Sequence, residues 1–235
     1  VTGAGIRLGR AIAHGLMRRG AGVAVHYFHS DHGARATAVE GEAMGVRVAL
    51  IRADLSDAEA ARALAAKAKE ALGALDIVVN SAAIMEKKPV PEVAPEDWDR
   101  TLNLNLRGAF FVAQGAAAVM SQSASGGVIV NIADLAAFET WRDYAVHAIS
   151  KAGVVAMTRQ LARSLAPSVR VNAVAPGAVL LPESWDQAER DSITRSTPLR
   201  RLGSPQDVVN AVLFLIENDY VTGETLVVDG GRLVR

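Results

Sequence analysis

At 235 residues the chain suits one domain with a fully buried sheet. Lys plus Arg equals Asp plus Glu at 25 each and half the residues are apolar, which leaves no electrostatic case for nucleic acid or an anionic membrane and favours a small-molecule ligand. With no cysteine there are no disulfides or thiolate metal sites; no apolar run reaches the ~18–20 residues of a bilayer span and no signal-peptide pattern opens the chain, so the expectation is a cytoplasmic protein without metal or membrane.

The chain opens on VTGAG, where Val1 reads as the last residue of a strand. Helix candidates near 8–19, 32–44, 57–72, 95–121, 143–166 and 205–217 then alternate with strand candidates. The latter are GVAVHY (22–27), VRVALIR (46–52), LDIVVN (75–80), GVIVNIA (127–133), VRVNAVA (169–175) and TLVVDG (225–230). Ser56 suits the N-cap of the helix at 57–72, with Asp57 and Glu59 in its first turn. Continuous apolar strands separated by helices predict a parallel sheet covered on both faces. The fold class is therefore α/β, a doubly wound Rossmann-type sheet of about seven strands, with residues 1–235 as a single dinucleotide-binding domain.

Glycines at 3, 5 and 9 precede the first helix, where they permit a tight turn and close approach of backbone N–H groups to a pyrophosphate. Further along come ADL (53–55), NSAA (80–83), NLNLRGAF (103–110), Ser150-Lys151, RVNAVAPGAV (170–179) and VTGETLVVDGG (221–231). In order and spacing this set resembles the short-chain dehydrogenase/reductase superfamily over nearly the whole chain. Within it the sequence looks most like the pteridine reductase branch: Arg7 replaces the middle glycine, HYFHS closes the second strand, and Asp134 stands where most relatives keep a catalytic serine. The closing DGGRLVR is similar to bacterial dihydromonapterin reductases.

The resemblance implies a nicotinamide cofactor held by Gly3, Arg7, Leu8, Gly9, Tyr27, His29, Ser30, Asp54, Leu55, Asn80, Ala82, Lys151, Pro176 and Gly177. NAD-using relatives carry an acid at the end of the second strand; here that position is Tyr27, followed by His29 and Ser30. The expected cofactor is NADP(H), with His29 either a phosphate partner or an exposed loop histidine.

The resemblance also implies the catalytic set. Asn105 would hold a water linked to the lysine, or else cap or kink its helix. Lys151 would bond the nicotinamide ribose. Four residues before it the superfamily has tyrosine, and this chain has His147. Thirteen residues before His147 lies Asp134, the family's spacing, so the alignment holds.

Tyrosine titrates near ~10 and histidine near ~6.5, and a neighbouring ammonium favours the deprotonated form of either. Lys151 thus poises a phenol but opposes an imidazolium, whereas the Asp134 carboxylate favours one. An Asp134–His147 pair in place of Ser–Tyr is therefore expected to donate the proton, with reduction faster below neutral pH. Tyr144, almost one turn before His147 on the same helical face, is expected to line the pocket.

Met85, in IMEKKP, is read as pocket lining, with a flexible sulfur contact to a flat ring as the alternative. Trp185, in the polar stretch LLPESWDQAERDSITRSTPLRRLG, is read either as an aromatic wall or as a loop residue packed on protein. The expected function is NADPH-dependent hydride transfer to a C=N or C=O bond of a small planar substrate. Loss of both Ser and Tyr keeps a second reading open, a cofactor-binding homologue acting as a sensor or partner protein. By analogy with relatives the chain forms homotetramers or homodimers through the helices at 95–121 and 143–166.

Overall fold

The computed structural model describes residues 1–181 and 185–234. Its strands are β1 Val23–Tyr27, β2 Val48–Arg52, β3 Ile77–Asn80, β4 Gly127–Ile132, β5 Val169–Pro176 and β6 Thr225–Val228. The helices between them are α1 Arg7–Met17, α2 Asp31–Ala43, α3 Ala58–Leu72, α4 Pro95–Leu102, α5 Ala109–Met120, α6 Ala145–Leu165, α7 Gln187–Ser196 and α8 Pro205–Glu217. All strand pairs are parallel: β1 with β2, and β3-β4-β5-β6 in order.

Residues 1–4 join these two groups. Val1 N–H donates to Ala24 O (3.0 Å), His26 N–H to Val1 O (3.1 Å) and Ala4 N–H to His26 O (2.9 Å) on one side, and Thr2 N–H to Val79 O (2.9 Å) on the other. The sheet therefore winds outward in both directions from the stretch at 1–4, and it is at such a reversal that ligands bind, beyond the carboxyl ends of the strands.

Side-chain alternation along β4 explains why its sequence is continuously apolar. Val128, Val130 and Ile132 pack with Ile12, Leu16, Val208 and Val212 from α1 and α8, while Ile129 packs with Val112, Met120 and Val154 from α5 and α6. Both faces are dry, so the period-2 pattern is filled with hydrophobes at every position. The six expected strands lie within two residues of the observed ends.

Four local expectations are corrected. The helix at 95–121 is interrupted by a π-helical segment, Asn103–Gly108, between α4 and α5. A Cβ on Gly108 would overlap the Leu55 carbonyl, so the chain passes there only as glycine, and the widened turn directs Asn105 inward. Asp57, not Ser56, caps α3: its carboxylate accepts from Glu59 N–H (2.8 Å) and Ala60 N–H (3.4 Å), while the Ser56 hydroxyl bonds Asp54. Helix α6 begins at Ala145, with Tyr144 as its N-cap residue rather than part of its face. The polar stretch after β5 contains α7, capped by an Asp186–Glu189 box; residues 182–184 of that stretch, and Arg235, lie outside the described residues. Among the described residues no helix is long and apolar enough to cross a membrane.

Candidate active site

At the carboxyl ends of β1 to β5 a cleft of about 700 Å³ opens where the winding reverses. Gly3, Arg7, Leu8, Gly9, Tyr27, His29, Ser30, Asp54, Leu55, Ala82, Met85, Asp134, His147, Lys151, Pro176 and Gly177 line it. The structure thus brings together sixteen of the residues singled out in the sequence; Asn80, Asn105, Tyr144 and Trp185 are placed elsewhere.

The glycine turn forms one end. Gly3 has φ +63°, a conformation glycine adopts without strain. A Cβ on Gly9 would overlap the Gly3 carbonyl, and one on Gly5 would sit 2.5 Å from Ser30 Oγ, so these two glycines serve close packing of the turn against α1 and α2. Ile6, the N-cap residue of α1, makes no side-chain capping bond, which leaves the first-turn N–H groups without a side-chain acceptor from that position. Arg7 reaches over the turn and donates from Nη2 to Leu180 O (2.7 Å), joining the two walls of the cleft.

Two buried side chains set the shape of this turn and were not among the sequence candidates. His26 accepts Gly3 N–H at Nδ1 (3.1 Å) and donates from Nε2 to Ala53 O (3.0 Å). Its burial lowers its pKa to about 4, partly offset by the Ala53 bond. Thr2 Oγ1 accepts from Ser81 N–H (2.8 Å) and Ala82 N–H (3.0 Å), tying the turn to the segment after β3. The signal for His26 was present: an imidazole within an otherwise apolar strand must have its polar atoms satisfied.

At the rim beside Tyr27, His29 is exposed and packs against Phe28, with ring centroids 4.1 Å apart. Arg52, paired with Tyr27 in the β1–β2 register, lies over Phe28 at 5.6 Å and donates to its carbonyl (3.2 Å). The Tyr27 hydroxyl bonds Asp31, which is also paired with Arg35 (2.8 Å), so that acid is already matched by a cation. Asp54 accepts from the Ser56 amide (2.9 Å) and hydroxyl (2.7 Å).

The other end holds the titratable groups. Lys151, 5 % exposed, donates from Nζ to Ile132 O (2.8 Å). Burial lowers its pKa to about 8, with the Asp134 charge opposing the shift. Asp134 accepts Ala136 N–H on Oδ1 (2.9 Å) and turns Oδ2 toward His147 Nε2 at 3.5 Å, an ion-pair distance rather than a hydrogen bond. His147 is 3 % exposed. Its Nδ1 lies 3.2 Å from Ile84 O, and since a carbonyl only accepts, this contact is a hydrogen bond in the tautomer with the proton on Nδ1. Nε2 is buried without a hydrogen-bond partner among the described residues.

The remaining candidates are structural neighbours of this set. Asn105 is buried, with its amide bonded to the Ile84 main chain on both sides and to Ser150 Oγ. Asn80 donates to Ala109 O (3.2 Å) and to Asn131 Oδ1 (3.0 Å), and Asn131 continues to Thr158 (2.9 Å), a buried ladder that locks β3, β4 and α6. Tyr144, placed at the cap, packs edge-on against Trp141 at 6.2 Å, and Trp185 precedes α7, where its carbonyl accepts from Arg190 (3.2 Å). At the mouth, Arg100 pairs with Glu86 (2.5 Å) and Asp97 (2.8 Å), close to the half-exposed Met85.

An uncapped helix start, a left-handed glycine and a long cleft ending on a buried ammonium fit a dinucleotide. The comparisons agree. The family model described as enoyl-(acyl carrier protein) reductase matches residues 3–232. L-rhamnose 1-dehydrogenase (NAD(P)(+)) of Sphingomonas sp. (strain SKA58) is 36% identical over 241 residues, covering 100% of this chain and 95% of its own. The 3-oxoacyl-acyl-carrier-protein reductase FabG of Staphylococcus aureus (strain N315) is 34% identical over 236 residues, covering 98% and 96%. Among solved structures, a Sinorhizobium meliloti 1021 protein described as a short-chain alcohol dehydrogenase superposes with TM-score 0.94 at 34% identity, covering 100% and 95%. Acetoin dehydrogenase from Enterobacter cloacae does so with TM-score 0.88 at 32% identity, covering 100% and 94%. The chain belongs to the short-chain dehydrogenase/reductase superfamily of oxidoreductases.

Proposed function

We propose that the protein is an NADP(H)-dependent reductase, pteridine-reductase-like, that adds hydrogen across a C=O or C=N bond of a small planar substrate. The observation that carries this reading is the unpartnered Nε2 of His147, buried in the cleft and facing Asp134 beside Lys151.

Bound NADPH would supply the hydride. Gly3, Leu8, Gly9 and Arg7 would hold the pyrophosphate side, and Asp54, Leu55, Ala82, Pro176, Gly177 and Lys151 the rest. With Nδ1 committed to Ile84 O, His147 has one nitrogen left for chemistry. In the imidazolium form Nε2–H gives its proton to the substrate oxygen or nitrogen as the carbon accepts hydride, and His147 is left neutral with Nδ1–H intact. In the reverse direction the same lone pair accepts a hydroxyl proton. Asp134 Oδ2, 3.5 Å from Nε2, faces the nitrogen that exchanges the proton.

NADP(H) is favoured over NAD(H) by His29, Ser30 and Arg52 around Tyr27, where Asp31 is already paired with Arg35. The half-exposed thioether of Met85 suits a flat ring. The names of the relatives, a sugar 1-dehydrogenase and a 3-oxoacyl reductase, favour C=O. A homodimer or homotetramer is supported by the apolar face of Trp98, Leu102, Phe110 and Met157 across α4, α5 and α6.

Stopped-flow oxidation of NADPH over a carbonyl and pterin panel tests the reading. His147→Phe is expected to lower the reduction rate by ~10²-fold or more while NADPH still binds. Unchanged rates in the variant overturn the assigned proton route, and tight binding without turnover in wild type supports a cofactor-binding homologue instead. Equal or tighter binding of NADH overturns the cofactor preference.

A further inference from the structure

Histidine differs from tyrosine as a proton donor in having two possible sites for its proton, so a His in this position functions only if the correct nitrogen is free. The Ile84 carbonyl decides which. It accepts two hydrogen bonds, one from His147 Nδ1 at 3.2 Å and one from Asn105 Nδ2 at 2.9 Å. Asn105 also accepts Ile84 N–H on Oδ1 at 2.9 Å, so a single carboxamide grips both polar groups of Ile84 as a neighbouring strand would. Its second Nδ2 proton goes to Ser150 Oγ at 3.0 Å, and Ser150 donates to His147 O at 2.6 Å. The amide is thus bonded to the carbonyl that orients the imidazole ring and, through Ser150, linked to the backbone of the histidine itself.

We propose that Asn105 is a positioning residue that sets the tautomer of His147: by holding the Ile84 carbonyl it keeps the proton on Nδ1 and leaves Nε2 free for the cleft. This rests on the proposed role of His147, but its physical content is separate from turnover. Neutral imidazole carries one proton, and without an acceptor at Nδ1 the proton moves to Nε2, where Asp134 at 3.5 Å attracts it. That tautomer places an N–H between the carboxylate and the substrate and leaves no lone pair to accept a hydroxyl proton. The π-helical segment Asn103–Gly108 is what directs Asn105 inward, so an irregularity in the helix fixes a chemical state 42 residues away.

The test is the two-bond ¹H–¹⁵N histidine spectrum at a pH where the imidazoles are neutral. His147 is one of five histidines, and its signals are identified by their loss in His147→Phe. Wild type is expected to give the Nδ1–H pattern for His147. Asn105→Asp is the isosteric test, because it keeps the acceptor for Ile84 N–H but replaces the Nδ2 donor by an oxygen facing Ile84 O. Loss of the Nδ1–H pattern in favour of Nε2–H is expected, with a fall in kcat and little change in NADPH affinity. Asn105→Ala is the second variant, and circular dichroism confirms that each is folded. A wild-type His147 protonated on Nε2, or a folded Asn105 variant that retains Nδ1–H, overturns the proposal. If His147→Phe keeps full activity the proposed function fails while the tautomer result stands, so the two failures are distinguishable.

Discussion

Lys151 is the most stringent test of how this site is built. The ammonium is 5 % exposed and, among the described residues, has one hydrogen bond, to Ile132 O at 2.8 Å, with Asp134 as the compensating charge. Its folded pKa of about 8, against an ordinary 10.5, corresponds to about 3 kcal/mol of unfavourable burial at neutral pH, since each unit is ~1.4 kcal/mol. Lys151→Met removes that charge but leaves the Ile132 carbonyl without its donor, which costs about 1–2 kcal/mol. The variant is therefore expected to be more stable than wild type by about 1–2 kcal/mol at pH 7 while losing reductase activity. The pH dependence carries the sign. Between about pH 8 and 10.5 the unfolded chain binds more protons at this group than the folded one, so wild-type stability rises with pH through that window. The burial penalty is full below pH ~8 and gone above ~10.5. Urea unfolding of both proteins at pH 7, 8, 9 and 10 measures the difference, in which other titrating groups cancel. A difference that stays flat over this range, or a variant less stable than wild type at pH 7, refutes the assignment of a buried, poorly compensated ammonium.

His26 predicts the opposite flank. Its pKa falls from 6.5 to about 4 on burial, so its neutral form stabilises the fold above pH ~6.5 and this contribution is lost as pH falls toward 4, about 3 kcal/mol in all. His26→Gln, which does not titrate, flattens that acid limb in urea titrations; an unchanged limb refutes it. Ile129→Ala, at a fully buried position in the β4 core, is expected to destabilise by about 3–4 kcal/mol, read from the urea midpoint at constant slope. Gly9→Ala collides with the Gly3 carbonyl rather than with a yielding side chain, and is expected to abolish NADPH binding in fluorescence titrations; wild-type affinity in a folded variant refutes it.

Most strands were readable because burial on both faces removes the polar alternation that makes strand and loop ambiguous. The polar α7 was not, because no residue in it is buried and its sequence has a loop's composition. The interruption at Asn103–Gly108 was likewise hidden: NLNLRG continues a helical pattern, and the close approach of Leu55, from another part of the chain, to Gly108 cannot be read from it. Tyr144 was misplaced for a local reason, since helix periodicity alone does not say which residue starts the helix.

For the site, sequence spacing together with the family resemblance singled out Asp134, His147 and Lys151, with Lys151 one turn beyond His147, because those intervals are covalent and their elements regular. It also determined the parallel doubly wound sheet, through its apolar strands and glycine turn. Only the tertiary structure decided what the histidine can do. Its tautomer depends on Ile84, 63 residues away in sequence, and the fit of that carbonyl depends on Asn105. Hydrogen bonds act over ~3 Å in space and are indifferent to separation along the chain, so the protonation state of the site is a property of the packed fold.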